Sequence, residues 1–444
     1  MNRSRSRQLV VAFATVLSAA NLYFINYASL QALYHPASHL RLNLYGDPQI
    51  EGDAKLKREP ILGRYDLLVN DYYLRHVYMS TIAAFQPQYV VTMGDIFSSQ
   101  RVRKAEYYKR IERFSWISGR NKTTYKPIHT RRAHAYMFLA GNHDIGYGAE
   151  TRPYHINRYV NNFGPINRDW MVDFDNKRTR ESVDGLHQFA ILNAMNLDFT
   201  QNAEFRNETW SFLKRLVSKR AKHPAIPLTL FLHIPLSKPS GICVAEPEMI
   251  YKNGSVHYQD YLSPVTSAYL LHCLTPTLIF NGHDHNGCLS AHSVKHTTVQ
   301  PVPLGDSGKL LQVSEDLCSL QLEELDMYQL AIEEFAAATV TSFAEPRIPE
   351  HAISLAVEVT VRSTMGEYSG ATGIFDISPD SRSGLQQHIQ TSDHGFVLNS
   401  KHGYIYRYRE VLFGYHLIIR VLAVVDLVSV FAVPALLLAL SFYI

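Results

Sequence analysis

Apolar and polar positions along the middle of the chain follow two distinct periods. Short runs rich in β-branched and aromatic residues at 40–45, 89–93, 135–140, 189–192, 227–233 and 277–281 predict strands. Between them, apolar positions three or four residues apart predict helices over 62–85, 102–117, 203–217 and 265–274. Leu67, Leu68, Leu74 and Val77 mark the apolar face of the first helix. Strands alternating with helices predict an α/β sheet covered by helices. Later runs at 353–361 and 372–377 predict a second sheet, which carries the body of the protein over 40–377. The polar, turn-rich stretch from 378 predicts a linker over 378–410.

Both ends break this pattern. Residues 9–33 carry no formal charge and follow Arg3, Arg5 and Arg7. That predicts a bilayer crossing with residues 1–8 in the cytosol, or a cleaved signal peptide with Ser18-Ala19-Ala20 at its cleavage site. Either reading puts the body in the secretory lumen. Residues 421–444 predict a second membrane helix, with Asp426 near one end where a carboxylate reaches the interface. Lys401, Arg407, Arg409 and Arg420 run against the positive-inside tendency there. Glycosylation acceptor triplets at Asn121, Asn207 and Asn253 favour the lumen nonetheless.

The 444 residues are 46% hydrophobic and 19% charged, which excludes a disordered chain. With 43 Lys and Arg against 40 Asp and Glu, the balance is too even for a nucleic-acid binder, so membrane lipid is the expected macromolecular surface. Four cysteines are too few for a disulfide-built scaffold. Histidine is abundant, at 21, and gathers where strands end.

Gly46-Asp47, Gly94-Asp95, Gly141-Asn142-His143-Asp144, His233 and Gly282-His283-Asp284-His285 each close a predicted strand. Singly, each reads as a turn, a helix cap or a core histidine. The last segment is more pointed, because alternate residues of an extended stretch could offer two imidazoles to neighbouring ions. Together, two carboxylates, an Asn and three histidines supply the mixed oxygen and nitrogen donors that two divalent cations require. Such a pair, about 3.5–4 Å apart, activates water and clamps both the attacking and the leaving oxygen of a phosphoryl group.

This ordered set, from Asp47 to His285, resembles the calcineurin-like metallophosphoesterase superfamily. The resemblance implies a four-layer α/β/β/α sandwich of two mixed sheets, flanked here by terminal transmembrane helices. It implies one metal on Asp47, Gln49 and His285, and a second on Asn142, His233 and His283, with Asp95 bridging. It also implies His143, backed by Asp144, as the general acid that contacts the phosphate. Gln49 departs from the superfamily, where most members have His; the neutral oxygen donor predicts a weaker first site that prefers Mn²⁺ to Zn²⁺. Cys243 and Cys288 follow ligand segments and could pair in an oxidising lumen, one of three pairings open to four cysteines.

Gly46-Asp47-Pro48-Gln49-Ile50, Gly94-Asp95-Ile96-Phe97-Ser98-Ser99-Gln100 and Met365-Gly366-Glu367-Tyr368 look more narrowly like fungal ER enzymes of the Ted and Cdc type. The resemblance implies an ER membrane protein, with its catalytic body in the lumen, that removes ethanolamine-phosphate from a mannose of the glycosylphosphatidylinositol (GPI) glycan. Its partners would be the GPI-anchored glycolipid or protein, membrane lipid and the ER cargo-export machinery. A metallophosphatase for another phosphate ester and a non-enzymatic cargo adaptor are the competing expectations.

Overall fold

A computed structural model describes residues 3–120, 134–174, 185–246, 248–295, 303–304, 309–310, 317–319, 338–342, 352–380, 388–392, 394–400, 402–413, 424–426, 428–432 and 434. After a long N-terminal helix α1 (Arg3–Leu33), two seven-stranded mixed sheets form the body. The first contains β1 (Leu40–Tyr45), β2 (Tyr89–Thr92) and β3 (Ala135–Phe138) in parallel. The second contains β4 (Arg168–Asp173), β5 (Leu186–Ile191), β6 (Leu228–Phe231) and β9 (Leu278–Asn281). A small hairpin, β7 (Met249–Lys252) and β8 (Ser255–Gln259), precedes β9. Beyond β9 the second sheet continues through β14 (Ala352–Thr360), β10 (Cys288–Lys295) and β13 (Ala338–Ser342). A two-stranded pair, β11 (Pro303–Leu304) and β12 (Lys309–Leu310), stands apart.

Strand periodicity sorts the apolar residues into two cores. Leu42, Leu44, Val91, Met137, Phe231, Phe280 and Val357 fill the space between the sheets. Their neighbours Tyr45, Val90, Phe138, Leu230 and Ile279 point outward, into a core shared with the helices. On the first sheet that layer is α2 (Asp53–Arg58), α3 (Leu62–Phe85) and α4 (Lys104–Ser118), where the Tyr45 and Tyr78 rings stack 3.8 Å apart. The short α5 (Asn142–Ile145) and α6 (Pro153–Phe163) follow β3. The second sheet is covered by α7 (Ala203–Lys222) and α8 (Pro264–Tyr269), with Trp210 and Tyr269 ring centroids 5.2 Å apart. The layers therefore run helix, sheet, sheet, helix.

Three sequence expectations need correction. The runs at 353–361 and 372–377 do not form a sheet of their own. The first becomes β14, parallel to β9; the second becomes β15 (Ala371–Pro379), antiparallel to β1 in the other sheet. Nor is 378–410 a linker, because β16 (His388–Ser392), β17 (Gly395–Asn399) and β18 (Tyr404–Leu412) extend the first sheet as an antiparallel meander beside β15. Tyr404, Tyr406 and Tyr408 there are buried on the inter-sheet face, a period-two pattern hidden by Ile405 between them and by the charged residues Arg407, Arg409 and Glu410. In α3, Leu74 and Val77 are buried with Tyr73, Tyr78, Ile82 and Phe85, whereas Leu68 is 57% exposed.

At the ends, no single helix among the described residues is long and apolar enough to cross a membrane. The bent pair Gln8–Tyr23 and Asn26–Leu33, meeting at 62°, passes that test together by length and composition. Of 421–444, only 424–426, 428–432 and 434 are described, all helical; the rest of that expected span lies outside the described residues. Asn121 also lies outside them, whereas Asn207 on α7 and Asn253 at the β7–β8 turn are exposed.

Candidate metal centre

The parallel strands of both sheets end at one edge, and the loops leaving them carry all of the candidate ligands. Asp47 follows β1, Asp95 follows β2, Asn142 and His143 open α5 after β3, His233 follows β6, and His283 and His285 follow β9. The loops are held in unusual conformations. Asp47, Gln49, Asp95 and His283 have φ of 39°, 40°, 48° and 74°, in the left-handed region that non-glycine residues enter only at a cost of roughly 1–3 kcal/mol each. Two glycines show why the loops must be so tight. A Cβ on Gly94, at φ 106°, would lie 2.3 Å from His233 Nδ1, and one on Gly141 would lie 2.2 Å from Asp95 Oδ1.

Asp95 is the meeting point. Its Oδ1 accepts the His143 backbone N–H at 2.8 Å and lies 3.5 Å from His233 Nε2. Gln49 Nε2 donates to Asp95 Oδ2 at 3.2 Å and lies 3.1 Å from His285 Nε2. Asp47 Oδ2 accepts the His283 backbone N–H at 3.0 Å, while Asp47 Oδ1 is buried with no hydrogen-bond partner. An idle carboxylate oxygen in a dry site costs free energy unless something else claims it.

Backbone carbonyls fix the histidines. His233 Nδ1 donates to the Met93 carbonyl at 2.8 Å, which turns Nε2 inward, 3.2 Å from Asn142 Oδ1. His283 Nε2 donates to the Gln259 carbonyl at 2.9 Å and turns Nδ1 inward. This is the outer-shell arrangement by which metal-binding histidines are oriented. Sequence reading missed both carbonyls, since a carbonyl has no residue signature and Gln259 belongs to the small β8 hairpin. The segment 282–285 is not extended as its sequence suggests, because Asp284 N–H donates back to the Gly282 carbonyl at 2.9 Å and makes it a turn.

Charges in the cluster are unbalanced. Burial and the Asp95 charge push the Asp47 carboxyl well above the usual carboxylate range. Burial opposes ionisation of Asp95, yet the charges of His233 and His143 hold it well below that range. Burial would lower His233, but Asp95 and Asp47 raise it to about 9; burial lowers His283 to about 3 and lowers His285 as well. Divalent cations suit this cluster. The donor atoms of Asp95, His233 and His283 all lie within 4.8 Å of one another, beside the idle Asp47 oxygen.

Asp144 does not back the His143 ring. Its Oδ1 accepts from Ile96 and Phe97 N–H at 3.1 and 3.4 Å, and its Oδ2 accepts from Gly141 N–H at 3.0 Å, so it ties the Asp95 loop to the Asn142 loop. His143 is left half-exposed at the mouth, with Nε2 3.8 Å from Asp95 Oδ2. On the Gln49–His285 side of the centre opens a cavity of about 250 Å³, lined by Gln49, His285, Tyr368, Lys55, Arg58 and Asn70. Tyr368 reaches it because the chain crosses between the sheets from β14 to β15 directly over the centre, and its ring meets that of His285 at 4.6 Å. Cys243 is bonded to Cys288, three residues beyond His285, and Cys273 to Cys318.

Comparison with known proteins agrees with this geometry. A profile of the family described as calcineurin-like phosphoesterase matches residues 64–287. An uncharacterised protein of Schizosaccharomyces pombe is 30% identical over 56% of this chain and 64% of its own. Protein TED1 of Saccharomyces cerevisiae is 27% identical over 57% of this chain and 66% of its own, and Cell division control protein 1 of the same yeast is 27% identical over 57% and 48%. The matched segment thus spans less than two-thirds of each relative's length.

Proposed function

The chain belongs to the calcineurin-like phosphoesterase family, and from that premise we infer that it is a metal-dependent phosphodiesterase. The observation that carries this reading is the cage around Asp95, in which Gln49, His143 and His233 converge beside an Asp47 oxygen with no partner. Asp47, Gln49 and His285 would hold one divalent ion and Asn142, His233 and His283 the other, with Asp95 touching both. The ions would supply Lewis acidity and a water that ionises near neutral pH. Their positive charge suits an anionic phosphodiester.

The protein's own groups do the rest. The half-exposed His143 ring stands where it can donate a hydrogen bond to a phosphoryl oxygen and a proton to the leaving group. Asp144 keeps that ring in place indirectly, by fixing both loops beside it. Oxygen donors from Asp47, Asp95 and Asn142, joined by Gln49 Oε1 once that amide is turned toward the ion, favour Mn²⁺ over softer ions.

For the substrate we infer the ethanolamine-phosphate of a GPI-glycan mannose, removed in the ER to assist export of GPI-anchored cargo. Supporting this are the motif resemblance to ER enzymes of that activity and the similarity to TED1 and Cell division control protein 1. The test compares GPI-glycan phosphate in cells with the protein, without it, and with Asp95→Asn. Cells lacking it, or carrying the mutant, should retain the ethanolamine-phosphate. Unchanged glycan beside a purified protein active on other phosphate esters would instead favour the broader metallophosphatase reading.

A further inference from the structure

Among the described residues the outward Ile61–Tyr72 face of α3 has no partner, although it is built like a buried one. Ile61, Leu62, Leu68 and Tyr72 are 86%, 66%, 57% and 59% exposed, and Tyr65 and Trp116 of α4 are 45% and 40% exposed. Positions 61, 65, 68 and 72 share one side of the helix. The opposite side already buries Tyr73, Leu74, Val77 and Tyr78. A helix whose outer face met only water would be polar there. Arg75 lies 4.5 Å over the Trp116 ring, whose edge meets Tyr72 at 5.0 Å, and Lys57, Arg58 and Arg64 are exposed around the stripe. Aliphatic side chains ringed by Tyr, Trp and cations match the boundary between acyl chains and anionic head groups.

Two further observations choose a bilayer over a protein as the occupant. The same α3 packs against α1, where Ala28 is buried and Tyr27 meets Phe413, a residue that also contacts His76 of α3. The segment with the composition of a membrane span is therefore fastened to the helix that bears the stripe. In addition, the inner side of α2 and α3 forms one wall of the cavity that ends at Gln49 and His285.

We propose that the Ile61–Tyr72 face of α3, with Trp116, lies in the lipid interface and sets the cavity mouth at the membrane surface. A phosphodiester carried on a lipid then reaches the metal centre without leaving the bilayer. Only the identity of that substrate rests on the function proposed above.

The full chain reconstituted in phosphatidylcholine vesicles with about 20% phosphatidylinositol and acyl-brominated lipid provides the test. Of its three tryptophans, Trp210 is buried and Trp170 is partly covered, so bromine quenching should fall mainly on Trp116. Trp116→Phe should abolish most of the quenching; quenching that survives unchanged overturns the proposal. Leu68→Asp with Tyr72→Asp should raise KM for a bilayer-borne phosphodiester about tenfold while leaving that for bis(p-nitrophenyl) phosphate unchanged. An equal effect on both substrates overturns it. If the wild-type chain cleaves neither substrate, the phosphodiesterase reading fails, while the quenching still decides the docking.

Discussion

Two buried polar clusters flank β9, and they are built on opposite plans. In one, Glu358 of β14 uses both oxygens. Oε1 accepts from Leu236 N–H at 2.8 Å and Asn281 Nδ2 at 2.6 Å, and Oε2 meets Lys238 Nζ at 2.8 Å and His292 Nε2 at 2.5 Å. Lys238, Glu358 and His292 are almost wholly buried, and none of them has a strained backbone. In the other, the cage at Asp95, four residues sit at positive φ and Asp47 keeps an idle oxygen. The first cluster pairs its charges, although His292 Nδ1 and Asn281 Oδ1 are left without hydrogen-bond partners, whereas the second leaves a carboxylate oxygen with none. The contrast separates structure from chemistry in a region where both consist of acids and histidines. The first also serves the second: Leu236 lies three residues beyond His233, and Asn281 two before His283, so Glu358 pins the loops that carry both of these proposed ligands.

The contrast breaks if the two clusters respond alike to mutation. The largest effect is expected from Asp95→Asn, which removes the proposed shared ligand. Phosphodiesterase kcat should fall on the order of 10³-fold, while the urea unfolding midpoint of the metal-free chain barely moves. Glu358→Ala should do the reverse, lowering unfolding free energy by about 3–5 kcal/mol because Lys238 is left buried without its counter-charge. Acid sharpens this second result. Burial would raise Glu358, but the charges of Lys238 and His292 bring it down from 4.5 to about 2. Its contribution is therefore complete above pH 4.5 and is lost as pH falls toward 2, so the gap between wild type and Glu358→Gln should narrow over that window.

Metal binding probes the incomplete cluster directly. Asp95 and Asp47 raise His233 to about 9 against the effect of burial, so its Nε2 would have to lose a proton to ligate. Calorimetry at pH 7 in buffers of different ionisation enthalpy should show proton release on Mn²⁺ binding, fading above pH 9. Gly94→Ala tests the tight approach; a methyl 2.3 Å from the His233 ring should cost about 1–3 kcal/mol of stability and weaken Mn²⁺ binding in the same titration. Smallest is Gln49→His, expected to tighten the first site on the order of tenfold and to shift its preference toward Zn²⁺ in competition titrations. Unchanged metal preference would remove Gln49 from the first coordination sphere.

Much of the α/β body was legible because its signals are local. β1 and α3 begin and end where the apolar pattern does, and the donors at the strand ends are conspicuous by residue type. Illegible parts depended on distant neighbours. Nothing near 371–379 says that it pairs with β1 more than 300 residues earlier, and the charged and polar residues interspersed through 388–412 concealed three strands. Asp144 shows the same limit on a smaller scale. Its position beside His143 suggested support for that ring, but the folded Asp95 loop offers its oxygens closer backbone donors.

By itself, then, the sequence determined which elements alternate and which donor atoms stand at their ends, because periodicity and side-chain chemistry are properties of short segments. Tertiary structure decided which imidazole nitrogen faces the centre, since the Met93 carbonyl that holds His233 lies 140 residues away. It also decided which carboxylate oxygen goes unclaimed, because hydrogen-bond partners are allotted only once the loops of two sheets have converged.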